Sequence, residues 1–128
     1  MNEAEEYIME EQAKQTVSQD DGLIDIKEFF SVKLRVAQIL TAEPVPETEK
    51  LMKLSISLGD EERTLVAGIA QYYSPGQLIG KKIVVVANLK PAKLRGIMSQ
   101  GMLLAARDEK GLALLTVDGD VAPGSSIG

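Results

Sequence analysis

Short apolar runs, alternating with polar residues and separated by turn-forming residues, are the feature that most constrains the fold of this chain. In the first run, apolar Val32, Leu34 and Val36 alternate with Lys33 and Arg35. Successive side chains of a strand point to opposite faces, so this pattern predicts a strand with one buried and one cationic face. Runs of this length, repeated along a chain, indicate a small all-β barrel or sandwich.

The later runs complete the predicted strand set. The switch of pattern at Ala37, Ile39 and Leu40 indicates a bulge in the first strand. Acidic and glycine-containing turns join neighbouring runs into two hairpins, and one run is apolar on both faces, as in a central strand. The predicted strands after the first are residues 53–58, 63–67, 83–87, 102–106 and 112–117.

A short helical turn is predicted between the third and fourth strands. Ser74-Pro75-Gly76-Gln77 places Ser at the N-cap, Pro at N1 and Gln at N3, and Gly80 would end the turn. About five strands with one helical connection after the third is the layout of the OB fold, a partly open five-stranded Greek-key barrel. An SH3-like barrel has a similar strand count, so the count alone does not separate the two folds.

The length of 128 residues and an apolar content of 45% fit one domain with a modest core. Residues 1–22 are polar and acidic with a weak helical stripe, and we interpret them as a tail, linker or short helix. Residues 23–128 form the predicted barrel domain, which closes with a C-terminal extension whose one apolar anchor is Ile127.

The composition argues against chemistry by this chain alone. It contains no Cys and no His, which removes thiolate metal ligands, the commonest zinc ligand and the commonest general base. The segment 76–82 departs from a P-loop in spacing, and Asp118-Gly119-Asp120 lacks the later ligands of a calcium loop. We therefore expect no enzyme activity, no cofactor and no metal.

No apolar run is long enough to span a membrane, and the acidic start does not resemble a signal peptide. Together with the missing cysteines, this predicts a cytoplasmic protein without a membrane partner.

The charge distribution matters more than the net charge of −5. Residues 1–28 hold nine acidic and two basic residues, whereas every charge between Glu62 and Asp108 is positive. This acid-free segment could be a set of solvated strand ends or a surface for a polyanion. Its basic residues are Arg63, Lys81, Lys82, Lys90, Lys93, Arg95 and Arg107.

The most informative stretch runs from residue 87 to residue 102. A strand ends near Asn88, Pro91 stiffens the exit, and the following loop presents Lys90, Lys93 and Arg95. The polar side chains nearby are those of Asn88, Ser99 and Gln100. Cations and short polar groups suit phosphates and ribose hydroxyls, so the stretch is a candidate RNA-binding loop.

Structural explanations exist for several of the same residues. Gly96 and Gly101 could permit tight turns, Ser99 could cap a local turn, and Met102 could belong to the core. These alternatives stay open at the level of sequence.

The same stretch resembles a known family. Asn88-Leu-Lys-Pro-Ala-Lys-Leu-Arg-Gly96 followed by Ser99-Gln-Gly-Met102 is similar to the hallmark of the tRNA-binding domain family. Members lie at the C-terminus of bacterial methionyl-tRNA synthetases or stand alone as structure-specific tRNA-binding proteins. The resemblance spans about residues 24–128, with two departures: Val45 replaces a frequent His, and Ala37 replaces a frequent Gly.

The resemblance implies an OB barrel that dimerises and binds tRNA without chemistry of its own. It implies RNA contacts through Asn88, Lys90, Arg95, Ser99 and Met102, supported by Arg35 and Lys53. Because aromatic residues are few, we expect recognition of tRNA by shape and backbone. The implied partners are tRNA, a second copy and the catalytic part of methionyl-tRNA synthetase.

Two alternatives from other classes remain. One is a protein-interaction domain whose main role is to dimerise, and the other is a chaperone-like relative of the same barrel with RNA binding secondary. If the chain is a fragment of a longer protein, it would be part of a methionine–tRNA ligase.

Overall fold

The computed structural model describes residues 21–128, which form two short helices and ten strands. The predicted tail, residues 1–22, therefore lies almost wholly outside the described residues. The helices are α1 (Ile26–Phe30) and α2 (Pro75–Leu78). The strands are β1 (Leu34–Pro44), β2 (Met52–Ser57), β3 (Glu62–Ala67), β4 (Lys82–Val86), β5 (Ala92–Leu94), β6 (Ile97–Ser99), β7 (Met102–Leu103), β8 (Ala105–Asp108), β9 (Gly111–Leu114) and β10 (Ser126–Ile127).

Strand β1 organises the main sheet, whose order is β3-β2-β1-β4-β7. It pairs antiparallel with β2 through its second half and with β4 through its first half. The short β10 also pairs with the start of β1. One long strand thus belongs to both halves of a curled sheet. The register against β2 shifts between Ile39 and Thr41, which confirms the predicted bulge and lets the strand bend.

The core lies inside the curl. Alternate residues of β2 point into it, and so do Ile83 and Val85 of β4, as the period of two along a strand requires. Val84 and Val86, on the other face of β4, are buried as well. Leu78 of α2 is fully buried and closes one end of the curl. The largest fully buried side chains are Ile39, Met52, Leu54, Ile56, Leu58, Leu65, Ile69, Leu78, Ile83, Val36 and Val85.

The edge of β3 is covered by the segment that joins β6 to β7. The amide of Gln100 donates to the carbonyl of Thr64 at 2.8 Å, and the Gln100 side-chain oxygen accepts from the Thr64 amide at 3.0 Å. The hydroxyl of Ser99 accepts from the amide of Val66 at 3.0 Å. These bonds satisfy backbone groups that an open edge would expose, and they close the curl into a barrel.

Helix α2 forms where the sequence predicts it. The Gln77 side-chain oxygen accepts from the Ser74 amide at 2.8 Å, and Gly80 adopts a φ of +88° just beyond the helix. The capping and the glycine end therefore work as expected.

The predicted all-β OB barrel is confirmed, and the structure adds detail at four places. Residues 26–30 form α1, and residues 102–106 divide between β7 and the separate β8–β9 hairpin. The candidate loop contains the small hairpin β5–β6, and the C-terminal extension ends in β10. Each helix or strand in these additions has five residues or fewer, too short for periodicity to reveal.

Candidate nucleic-acid interface

The loop after β4 carries its cations on a projecting hairpin, which we call the cationic hairpin (residues 90–98). Strands β5 and β6 pair with each other through Lys93 and Met98 and through Leu94 and Ile97. Arg95 and Gly96 form the turn with φ values of 51° and 81°. Positive φ at both central residues matches the right-handed twist of a two-residue hairpin. Lys90, Lys93 and Arg95 are all exposed, so the cations face solvent.

No ion pair within residues 21–128 involves Lys90, Lys93 or Arg95. The ion pairs in this part of the chain use Arg35, Lys53, Arg63 and Lys82 instead. An exposed cation outside an ion pair remains available to a polyanion.

The acid-free segment does not form one continuous surface. Lys81 precedes β4 and Lys90 follows it, so these two cations lie at opposite ends of that strand. Lys82 pairs with Asp120 at 2.8 Å, and Arg63 pairs with Glu61 at 3.0 Å. The cations brought together are therefore those of the cationic hairpin.

Two further cations lie beside the cationic hairpin. Arg95 shares a shallow cleft with Lys50 of the β1–β2 loop, where Glu47 and Glu49 also lie. Arg107 of β8 lines the same groove as Lys90. Neither Lys50 nor Arg107 is among the RNA contacts predicted from the sequence. In an OB barrel the β1–β2 loop and the loop after β4 meet at one end, and that adjacency was the available signal for Lys50.

Asn88 holds the base of the cationic hairpin in place. Its side-chain oxygen accepts from the Lys33 amide at 2.8 Å, and its side-chain nitrogen donates to the Ser31 carbonyl at 2.8 Å. The amide side chain thus joins the exit of β4 to the segment between α1 and β1. Its predicted RNA contact stays a prediction, since both polar atoms already have partners inside the barrel.

Arg35 is also engaged within the barrel. Its guanidinium donates to the carbonyl of Gly124 at 3.1 Å and to that of Leu58 at 3.2 Å, and Asp60 lies at 3.6 Å. A Cβ at Gly124 would meet the Leu58 carbonyl, so only glycine permits this close approach. Arg35 thus fastens the C-terminal extension to the β2–β3 turn.

Ser99 is the one buried polar residue among those described, at 4% exposure. Besides its bond to Val66, its hydroxyl donates to the Gly101 carbonyl at 3.2 Å. Gly101 has a φ of +131°, and a Cβ there would lie 2.9 Å from the Val86 carbonyl oxygen. Ser99, Gln100 and Gly101 therefore build the closure of the barrel, whatever contact with RNA they make.

The two remaining predicted residues lie at the margins of this surface. Lys53 pairs with Glu43 at 3.6 Å on the outer face of the sheet, directly opposite Val66. Met102 is 50% exposed, so it lies on the surface and not in the core.

An open groove of about 560 Å³ runs beside the cationic hairpin. It lies between the end of β3, the hairpin and the strands β7 to β9, and its lining is mainly apolar. Its lining includes Gly68, Leu89, Lys90, Leu94, Met102 and Arg107.

Within residues 21–128, no group of acidic side chains is arranged to hold a metal ion. No helix of that same range is long and apolar enough to cross a membrane.

An OB barrel with an exposed, unpaired cationic hairpin defines the class as a nucleic-acid-binding OB module. The family model described as "Putative tRNA binding domain" matches residues 34–126. The chain belongs to this tRNA-binding domain family, as the resemblance of residues 88–102 implied.

Individual relatives agree with that assignment. The methionine–tRNA ligase of Thermotoga maritima is 57% identical over 113 residues, covering 88% of this chain and 18% of the ligase. A structure of a MetRS-related protein from Pyrococcus horikoshii matches with a TM-score of 0.78 at 42% identity, over 82% of this chain and 97% of that one. The CsaA chaperone protein of Picrophilus torridus matches with a TM-score of 0.77 at 32% identity, over 83% and 100%.

The chain spans less than a fifth of the length of the curated relatives it matches, between 16% and 18% for the first three.

Proposed function

We propose that this chain binds tRNA through the cationic hairpin, without chemistry of its own. The observation that carries the proposal is the exposed set of Lys90, Lys93 and Arg95, which no carboxylate of residues 21–128 pairs with. Arg107 lines the same groove as Lys90 and adds positive charge there, whereas Glu47 and Glu49 offset the charges of Lys50 and Arg95 in the cleft on the other side. Exposed lysines and arginines neutralise phosphates and position an RNA, but they carry little sequence information.

The target is a folded tRNA recognised mainly by its backbone and shape. The described aromatic residues are only two adjacent Phe and two adjacent Tyr, and none of them lines the groove beside the hairpin. An extended stacking platform for single-stranded RNA is therefore absent from residues 21–128. The outer corner of the L-shaped tRNA presents a bent ridge of phosphates, and many tRNAs share it.

The role of this binding is to assist a methionyl-tRNA synthetase in the cytoplasm. The curated relatives are methionine–tRNA ligases, and the matched region is a small part of each. A tethered RNA-binding module raises the effective concentration of tRNA near a catalytic site without taking part in the reaction. The partner is thus the catalytic part of that synthetase.

The test combines Lys90→Ala with Arg95→Asn. Asparagine tolerates positive φ and favours the two-residue turn, so the second change removes the charge while keeping the hairpin. We expect the affinity for several tRNAs to fall by at least about tenfold, because two phosphate contacts are lost. Lys81→Ala, at the opposite end of β4, is the matched control and should leave affinity unchanged.

Gel shifts with three different tRNAs measure this effect. Loss of binding to one tRNA alone would contradict recognition by shape, and equal affinity of the double variant and the Lys81 control would contradict the assignment of the hairpin.

We also propose that a second copy covers the apolar segment around α1. Leu23, Ile24, Phe29 and Val32 are all exposed there, and α1 buries none of its residues. Exposed apolar segments of this size are typical of protein contacts.

The same observation favours the second candidate function, a protein-interaction module similar to the CsaA chaperones. Light scattering of the native chain and of an Ile24→Ser, Phe29→Ser variant tests the dimer.

A further inference from the structure

The groove beside the cationic hairpin has apolar walls, which a surface that binds only phosphates does not need. Its walls include the exposed apolar side chains of Leu89, Leu94 and Met102, which are between 40% and 50% exposed. Phosphates gain nothing from such walls, because an apolar surface offers no donor to an anion. The groove is therefore shaped for a ligand with an apolar or aromatic part.

The charge of the groove restricts the ligand further. Its charged lining residues are Lys90 on one side and Arg107 on the other, and no carboxylate lines it. A ligand that fits must be anionic as well as partly apolar. Lys90 also belongs to the cationic hairpin, so the groove continues the surface already proposed to bind RNA.

We propose that this groove binds one unpaired nucleotide of the RNA, a proposal that rests on the proposed function. The base packs against Leu94 and Met102, and its phosphates lie against Lys90 and Arg107. A volume of about 560 Å³ is in the range of sites that hold a small molecule, so it admits a nucleotide. Unpaired bases of folded RNA can be splayed out of the stack, whereas a duplex base must first be unpaired and unstacked, which costs free energy.

The groove would contact the flat faces of a base and not the hydrogen-bonding groups at its edges. Its walls are aliphatic at the positions that would contact the ring, so packing area and not hydrogen bonding decides the affinity. The larger purines should bind better than pyrimidines, with little distinction between adenine and guanine. The chain thus recognises an unpaired base of the tRNA, which a fully paired RNA of equal charge lacks.

Gly68 allows the groove to be filled without disturbing the barrel. It lies in the groove lining just after β3, it has no positive φ, and a Cβ built there meets nothing within 4 Å. Gly68→Trp should therefore place a ring in the groove. Gly119→Trp is the matched control, since Gly119 has the same open surroundings and neighbours Asp120, which pairs with Lys82 at the other end of β4.

Affinities are measured for a tRNA and for a fully paired RNA hairpin of similar length. We expect Gly68→Trp to weaken tRNA binding by about tenfold, the order of one lost base contact, while its affinity for the paired hairpin stays unchanged. The Lys90→Ala, Arg95→Asn variant should weaken both. Unchanged tRNA affinity in Gly68→Trp would overturn the groove and leave the cationic hairpin standing.

Two other outcomes also decide the question. If the native chain binds neither RNA, the proposed function fails and the groove proposal fails with it. If Gly68→Trp changes the mass measured by light scattering, the groove is a surface between copies and the nucleotide proposal is overturned.

A measurement on the native chain covers the case in which Gly68→Trp does not fold. Adenosine monophosphate, titrated into the methyl-labelled chain, should shift the NMR signals of the Met102 and Leu94 methyl groups, whereas inorganic phosphate should not. Absence of those methyl shifts at millimolar nucleotide, or equal shifts with phosphate, would overturn the proposal.

Discussion

At the scale of single residues, the hydroxyl of Ser99 stabilises the barrel through two hydrogen bonds. It accepts from the Val66 amide and donates to the Gly101 carbonyl, at a position that is 4% exposed. The amide it satisfies lies at the edge of β3, where no strand pairs with it. Removing the hydroxyl would leave a buried donor without a partner.

We therefore expect Ser99→Ala to lower the free energy of unfolding by about 1–3 kcal/mol, the cost of an unsatisfied buried group. Urea denaturation measures this change, and Ser126→Ala, at an exposed serine of β10, is the control. The tRNA affinity of the folded variant should stay the same. A variant with native stability and weakened tRNA binding would instead support the direct RNA contact.

The role of Ser99 also shows what the sequence could and could not predict. Arg35, Asn88, Ser99 and Gln100 were predicted as RNA contacts, and in the structure their polar atoms bond to other parts of the barrel. A polar residue in a family motif can serve the ligand or the fold, and spacing does not distinguish the two. Apart from Gly101, two positions from Ser99, the partners of these residues lie 23 to 89 positions away, beyond the reach of any local pattern.

At the scale of elements, the start of β4 is fixed by the segment that follows β9. The Lys82 side chain donates to Asp120 at 2.8 Å, and the Thr116 hydroxyl donates to the Lys82 carbonyl at 2.7 Å. The hydrogen bond from Lys82, and then its positive charge, hold the pKa of Asp120 below the ordinary value of an Asp.

This shift predicts a pH dependence of small size, because Asp120 is fully exposed. A lowered pKa in the folded state stabilises the fold above the pKa of the unfolded chain, and the contribution disappears as the pH falls through the folded value. Asp120→Asn should thus lower the melting temperature slightly at neutral pH and not at strongly acid pH. A difference that is constant across the pH range would contradict the ion pair.

The strands of five or six residues were predictable from the sequence for a simple physical reason. The strands β2, β3 and β4 are five or six residues long and bury alternate or successive residues, so their period is visible in the sequence. The hairpin β5–β6 was not predicted, since its strands have three residues each and β5 buries none of them. Its signal was the Arg95-Gly96 pair, a turn that needs positive φ twice.

At the scale of the whole molecule, the net charge of −5 hides a division between an acidic start and a positive end of the barrel. The described cations around the candidate interface are Lys50, Lys90, Lys93, Arg95 and Arg107. Their proposed RNA contacts release counterions from phosphates, so binding should weaken as salt is added.

We expect the logarithm of the tRNA association constant to fall with the logarithm of salt concentration with a slope of about −3 to −4, as for four or five phosphates. Removing Lys93 should make the slope shallower by about 0.7–0.9, whereas removing Lys81 should not change it. Fluorescence anisotropy of a labelled tRNA at several salt concentrations measures these slopes. A slope near zero would contradict the phosphate contacts.

The cationic hairpin forms a two-stranded sheet of its own, and residues 93–98 pair only with one another. Its tip can therefore be lengthened, shortened or exchanged without shifting the register of the barrel strands. Natural variation and protein engineering could both tune the RNA preference of such a domain by grafting new tips onto an unaltered scaffold.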